Sequence, residues 1–246
     1  MMTQYTDPSD NRVESLGWRM EWIGSQKNFI AGKAKEAISL ERFAGVQNLY
    51  AVGPLERGRG EVSIFDSTPL ISKVNEASVN VTVGYGYRAG FLVYAIVKNW
   101  RHATVRIPIE NEERLGEQLL PLAAENGIDI DRPFPFLVYC YIAQAEFHIL
   151  CNKSSADYSP ELHEKAKVRF PITDKSIEIV GFYSRHHRGV FTPLNSDFHM
   201  HVRTLDNRLA GHLEYVRWRQ LVTVCVPRVG NSFSDGADDN RSNETW

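Results

Sequence analysis

No uninterrupted apolar run in this 246-residue sequence approaches the roughly 20 residues that a membrane-crossing helix needs, so no span is expected. Met1 to Glu14 is polar and acidic, with no apolar core of the kind a secretory signal requires. Cysteine is scarce. Cys140, Cys151 and Cys225 are odd in number and make no Cys-x-x-Cys pair, and the first two sit in or beside an apolar strand-like run, so buried free thiols are expected. A reducing, cytoplasmic location follows as the default. Neither sign of charge is in excess: 28 basic and 30 acidic residues are interspersed for a net −2, and no basic stripe or tail suggests a nucleic-acid partner. Internal repeats are also lacking. Gly84-Tyr85-Gly86 superficially resembles a phosphate loop, but without a Walker lysine or a following helix it reads as a turn or bulge.

What remains is the composition of an ordinary globular protein, 43% hydrophobic and 24% charged, long enough to bury one large core or two small intimate ones. Strand patterns predominate, with β-branched or aromatic runs at 61–65, 77–83, 91–97, 104–107, 136–150, 177–182 and 221–226. One helix is expected near 111–126, with Leu115, Leu119, Leu122 and Ala123 on one side and Gly127 as its stop. The predicted fold class is α+β: two intimately packed β-rich halves with mixed or antiparallel sheets and one or two helices. The expected organisation is a flexible tail over 1–15, a half containing the helix over 16–150, a second half over 151–229, and a flexible tail over 230–246.

The chemistry concentrates in Asp197-Phe198-His199-Met200-His201 and, after a turn, in Ala210-Gly211-His212-Leu213. Residues 198–203 alternate in type, so His199, His201 and Arg203 share one face of a strand. Asp206-Asn207 suits a hairpin tip because both residue types tolerate positive φ. That tip puts His201 directly opposite His212 and His199 opposite Glu214, with paired Cβ atoms about 4.5–5.5 Å apart. Three imidazoles converging at such spacing can hold a metal ion, and three protein ligands leave a coordination position open, as in catalytic zinc centres. The bland alternative is a polar strand that happens to carry histidines. Eight histidines in the chain make one pair unremarkable, whereas a third in register is harder to dismiss. Gly211 admits a bulge that would slip the register. Glu214, on the same face, is a candidate acceptor for a ligand ring N–H. Imidazole ligands by themselves suit Zn, Cu, Fe and Ni alike.

Several short patterns fall in one order: Gly53-Pro54-Leu55-Glu56, Gly60-Glu61-Val62-Ser63-Ile64-Phe65-Asp66, the 91–97 run, the helix, Val180-Gly181-Phe182-Tyr183-Ser184, Gly189 and the histidine hairpin. Together they resemble the α-acetolactate decarboxylase family over roughly residues 40–227. The resemblance implies a zinc ion (Zn2+) held by His199, His201 and His212, with Glu61 facing the site as the catalytic carboxyl. It implies an enzyme, a carboxy-lyase that converts a 2-hydroxy-3-oxo acid, acetolactate, to acetoin. Hydroxyl and ketone oxygens chelate the ion, charge moves onto the ketone oxygen as an enediolate when carbon dioxide leaves, and a nearby acid protonates carbon. No organic cofactor is required. The implied partner is a small-molecule substrate, with no nucleic acid or membrane, and a homodimer is a candidate assembly.

Two positions depart from the family pattern. Its substrate-binding arginine stands on a strand after the helix, whereas Phe134 to Leu150 here contains neither arginine nor lysine. Its glutamate near the C-terminus is matched only by Glu244. Arg185, Arg188 and Tyr139 are the candidates for substrate binding, with Arg217 as a further source of a cation. The bland readings are a solvated loop for the two arginines of the 185–188 cluster and core packing for Tyr139. Without a bidentate cation the substrate carboxylate is held less firmly, so acetolactate is expected to be a poor substrate. Two rival readings follow. One is an isomerase, cyclase or lyase using zinc-enolate chemistry on another substrate in a biosynthetic pathway. The other is a non-catalytic binding module related to the plant- and prokaryote-conserved regulatory domain, for which this chain is too long.

Overall fold

The computed structural model describes residues 12–15, 17–34, 37–106, 112–219 and 221–230. Glu244 and most of the two expected tails lie outside them. The described residues form fifteen strands and three α-helices. In chain order they begin with β1 (Arg12–Ser15), β2 (Trp18–Ile23), α1 (Gln26–Ile30), β3 (Ile38–Ser39), β4 (Leu49–Pro54), β5 (Glu61–Phe65), β6 (Thr68–Asn75), β7 (Ser78–Val83), β8 (Arg88–Ala89) and β9 (Leu92–Val97). There follow β10 (Trp100–Arg106), α2 (Glu112–Glu125), β11 (Phe134–Leu150), α3 (Pro160–Ala166), β12 (Lys167–Tyr183), β13 (Phe198–Thr204), β14 (Ala210–Trp218) and β15 (Leu221–Pro227). No helix among these residues is long and apolar enough to cross a membrane.

Two large sheets carry the fold, one ordered β1-β2-β9-β4-β5-β6-β7 and the other β10-β15-β11-β12-β13-β14, with β3 and β8 as a small separate pair. All registered pairings are antiparallel, which narrows the expected mixed or antiparallel sheets to the second kind. Residues 12–15, assigned to the tail from sequence, instead extend the first sheet by pairing with β2. The division between sheets falls between Val97 and Trp100, earlier than the 150/151 boundary expected between halves, because β10 and β11 both join the second sheet. β11 has 17 residues and serves two partners in succession: Leu137–Tyr139 pair with β15, and Ile142–His148 pair with β14. The latter pairing closes β11, β12, β13 and β14 into a ring.

The sheets share one core. Trp22, Val93 and Phe65 of the first sheet pack in the same buried cluster as Phe136, Phe147, Phe182 and Val202 of the second. Each such side chain contributes about 1.5–3 kcal/mol when fully buried, so the two halves stabilise one another. Leu115, Leu119 and Ala123, four residues apart on α2, are wholly buried against this core. Leu122 is only half-buried, and Gly127 ends the segment at φ +78°. Cys225 is buried, whereas Cys140 and Cys151, expected to be buried, are half-buried; all three are free thiols.

Candidate metal centre

β13 and β14 pair with His201 opposite His212, Val202 opposite Gly211 and Arg203 opposite Ala210. The connection is longer than two residues. Thr204 and Leu209 close it, Asn207 takes φ +56°, and Asp206 Oδ1 accepts hydrogen bonds from Thr204 Oγ1 and the Arg208 N–H. Gly211 is in register and makes no bulge. A Cβ there would lie 2.7 Å from the His148 carbonyl oxygen and 2.7 Å from Phe147 Cδ2, so glycine lets β14 lie against β11. The bulge falls at Glu214 instead: Leu213 pairs with Phe147 and Tyr215 with Glu146, leaving Glu214 as the extra residue. Glu214 therefore leaves the expected position opposite His199 and turns to His148, 2.6 Å from Nδ1.

One ligand nitrogen from each of His199, His201 and His212 lies within 4.8 Å of the others. On His199 and His201 the second nitrogen is engaged so as to fix the ring. His199 Nδ1–H donates to the Phe191 carbonyl at 2.7 Å, which leaves the Nε2 lone pair free. His201 Nδ1 is 2.8 Å from Ser63 Oγ. Burial pushes the His199 pKa down to about 4, and burial with neighbouring histidines puts His201 and His212 well below the usual value, so all three are neutral near pH 7. His201 Nε2 is buried and has no hydrogen-bond partner among the described residues. An orphaned polar atom of this kind costs about 1–3 kcal/mol, and a cation accepting the neutral lone pair removes that penalty. A zinc-sized ion with nitrogen bonds of about 2.0–2.1 Å fits this donor set.

The first sheet supplies the opposite wall. Gly60, at φ +143° and packed so that a Cβ would be 2.5 Å from the Ser72 carbonyl oxygen, leads the chain into β5. Alternation then puts Glu61, Ser63 and Phe65 on one face. Glu61 Oε2 is 3.9 Å from His201 Nε2, Glu61 Oε1 is 3.8 Å from His148 Nε2, and Phe65 lies under Arg203 at 4.5 Å. Glu61 is 2% exposed, and burial raises its pKa well above the ordinary carboxylate value, against the opposing pull of the Leu150 backbone N–H and Lys167. The hydrogen bond from His148 holds Glu214 low, while burial lowers His148 itself.

A cavity of about 330 Å³ adjoins the site, lined among others by Glu61, His148, His163, Lys167, His199, His212 and Glu214. Three of the sequence candidates are elsewhere. Arg185 is exposed and pairs with Asp131 at 3.2 Å, and Arg188 is exposed and pairs with Asp197 at 2.8 Å. Surface carboxylates hold both arginines outside the cavity lining. Tyr139 stands across from Glu178 in the β11–β12 register, also off the lining, and its hydroxyl pKa is raised by burial and by that carboxylate. Arg217 is likewise exposed and off the lining. Sequence reasoning missed Ser63, His148, His163 and Lys167. Ser63 was accessible from strand alternation with Glu61. His148 was accessible as the single imidazole in the apolar run of β11, but its pairing with His212 depends on the ring closure. Lys167 had no signal, being one basic residue in a charged stretch.

No family model matches the chain, and no curated protein matches it. Among solved structures it is similar to α-acetolactate decarboxylase from Bacillus subtilis strain 168, at a TM-score of 0.67 and 11% identity over 85% of this chain and 86% of that one. It is equally similar to a Staphylococcus aureus protein of unknown function described as similar to α-acetolactate decarboxylase, at 0.67 and 12% identity over 85% of each chain. The acetolactate decarboxylase of Bacillus subtilis subspecies spizizenii aligns at 0.66 and 12% identity, over 85% of this chain and 86% of that one. The chain thus has the acetolactate decarboxylase fold.

Proposed function

We propose that this protein is a metal-dependent carboxy-lyase of the acetolactate decarboxylase kind, acting on a small 2-hydroxy-3-oxo acid with zinc held by His199, His201 and His212. The observation that carries the reading is the convergence of one nitrogen from each of three neutral imidazoles within 4.8 Å, with the buried Glu61 carboxyl 3.9 Å from His201 Nε2, beside a cavity lined by His199, His212 and Glu61. Held by these three histidines, zinc would supply an electrophile able to stabilise negative charge on a ketone oxygen during loss of carbon dioxide. The side chains supply the rest. Phe191 and Ser63 orient the ligand rings, and Phe91, Leu150 and Met200 give the cavity apolar walls that limit water. The enediolate left after decarboxylation needs a proton on carbon. Glu61 is the acid assigned to deliver it, because burial keeps that carboxyl protonated above the range where an exposed glutamate has ionised.

The test has two stages. Elemental analysis of purified protein is expected to give about one equivalent of divalent metal, lost in His201→Ala. Because a basic residue, Lys167, lines the cavity, the poor acetolactate turnover expected from the absent arginine is revised: metal-replete protein given 2-acetolactate should form acetoin above the spontaneous background, with kcat/KM of about 10⁴ M⁻¹s⁻¹ or more. Equal metal in both proteins would remove His201 from the ligand set. Metal without acetoin would transfer the site to another enolate-forming reaction.

A further inference from the structure

The cavity holds one basic side chain that the ligand set and Glu61 leave unused. Among the described residues lining it, Lys167 is the only lysine or arginine. It is the C-cap of α3 and the first residue of β12, paired across the sheet with Leu150, whose backbone N–H also reaches Glu61. Its side chain is 17% exposed. Ser159 caps the start of α3 and accepts from the Leu162 N–H, and His163, one turn before Lys167, lines the same cavity with its Nδ1 held 3.0 Å from Tyr158 Oη. Helix and strand therefore fix the backbone of Lys167 at the cavity wall.

The ammonium is engaged, but not saturated. Lys167 Nζ donates to Glu164 Oε1 at 2.8 Å, and the Glu164 side chain is 65% exposed. An ion pair with so exposed a partner is worth about 0–1 kcal/mol, and an ammonium has three donors. A second anion can share or displace the first at little penalty. The two acidic groups of the lining feel the Lys167 charge, but their short contacts are to histidines: Glu61 with His148 and His201, Glu214 with His148 Nδ1. Lys167 is left as the one lysine or arginine charge, among the described residues, in a lining that also holds His199 and His212.

We propose that Lys167 is the residue that binds the carboxylate of a small 2-hydroxy acid lying between it and the histidine face. This rests on the reading of the cavity as a site for a small hydroxy-oxo acid, and it assigns to β12 a cation that β11 lacks. A lysine ammonium is a point charge without the planar fork of arginine, so it selects for negative charge more than for carboxylate orientation. At about 330 Å³ the cavity is near the lower end of the roughly 300–1,000 Å³ usual for ligand sites, which keeps the acid small.

The experiment measures binding, not turnover. Metal-loaded protein is titrated calorimetrically with 2-hydroxyisobutyrate and with its neutral analogue 2-hydroxyisobutyramide. Wild type is expected to prefer the acid by about 10-fold or more, equivalent to about 1.4 kcal/mol. Lys167→Met should erase that preference with metal content and melting temperature unchanged, and Lys167→Arg should restore it. Glu164→Gln, which leaves the ammonium without its surface partner, should bind the acid at least as tightly as wild type. An acid preference that survives in Lys167→Met, or one that Lys167→Arg does not restore, overturns the assignment. The two readings fail separately. No acetoin from wild type with a preference that follows Lys167 removes the decarboxylase and keeps the anion site. Acetoin formation at the wild-type kcat/KM in Lys167→Met does the reverse.

Discussion

Ser63→Ala is the sharpest test of how the two sheets build one site. Ser63 Oγ stands 2.8 Å from His201 Nδ1, and both residues have zero exposure, so no water can replace the hydroxyl. Its loss leaves a second buried nitrogen on His201 without a partner, beside the already unpartnered Nε2. The metal-free protein should lose about 1–3 kcal/mol of stability, the penalty of an orphaned buried polar atom. For a chain of this size each kcal/mol is worth about 2–4 °C in melting temperature. The freed ring is also no longer held in its ligating orientation. Losing a group that orients a ligand typically weakens metal binding by about 10–100-fold, or about 1.4–2.7 kcal/mol. Chelator competition gives the affinity, and urea unfolding of the metal-free form gives the stability. Ser72→Ala is the control: its Oγ is equally buried on the neighbouring strand and has no partner among the described residues, so metal affinity should not change. A Ser63→Ala protein that binds metal within about 2-fold of wild type, far short of the expected loss, would refute the claim that β5 orients the ligand.

Glu61→Gln should retain its metal and lose about 100-fold or more in turnover on the substrate, the usual scale for removing a general acid or base; elemental analysis with steady-state kinetics checks both halves. Acidification should destabilise the metal-free protein: His163, His187 and His199 have folded pKa values near 4, below the unfolded value of about 6.5, so the unfolded chain binds more protons between those limits. Their stability is complete above about pH 6.5 and drains away toward pH 4, partly offset by Glu61, whose raised pKa works in the opposite sense; urea midpoints that stay flat over that window would contradict it. Arg185→Ala and Arg188→Ala should leave kcat/KM within about 2-fold of wild type, because both side chains are spent on surface carboxylates worth about 0–1 kcal/mol, and a 10-fold loss in either would return that arginine to the site.

The hairpin was legible because everything that fixes it is local. Alternation over 198–203, a turn rich in Asp and Asn, and three histidines suffice to put His201 across from His212, and the observed register agrees. Glu61 was legible only through resemblance; alone it is one acidic residue opening a strand, and its burial depends on β4 and β6 flanking β5. Glu214 shows where local reasoning stops. Extending the hairpin by arithmetic puts it opposite His199, but β14 leaves β13 beyond His212, pairs with β11, and takes up the mismatch as a bulge. The alternation of period two loses phase at that residue. His148 stands out in sequence only as a lone imidazole in an apolar run, since its approach to His212 is a product of ring closure over more than sixty residues of intervening chain.

Arg185, Arg188 and Arg217, the cations open to sequence once β11 holds none, all lie off the cavity lining, and a cation tied to one strand position has no other source. Strand pairing loosens that constraint. Directly paired residues keep their Cβ atoms about 4.5–5.5 Å apart, so a charge required at one point in a cavity can come from either of two adjacent strands with little change in reach. Leu150 ends β11 and Lys167 opens β12 as its paired residue. The two positions border the same cavity although α3 and its flanking loops separate them in sequence. The three histidines have no such freedom, because convergence of their nitrogens within 4.8 Å depends on face and register together, and a shift of one residue turns an imidazole to the opposite side. Register thus fixes the H-x-H…G-H geometry, whereas a charge on the cavity wall can come from either of two paired strands.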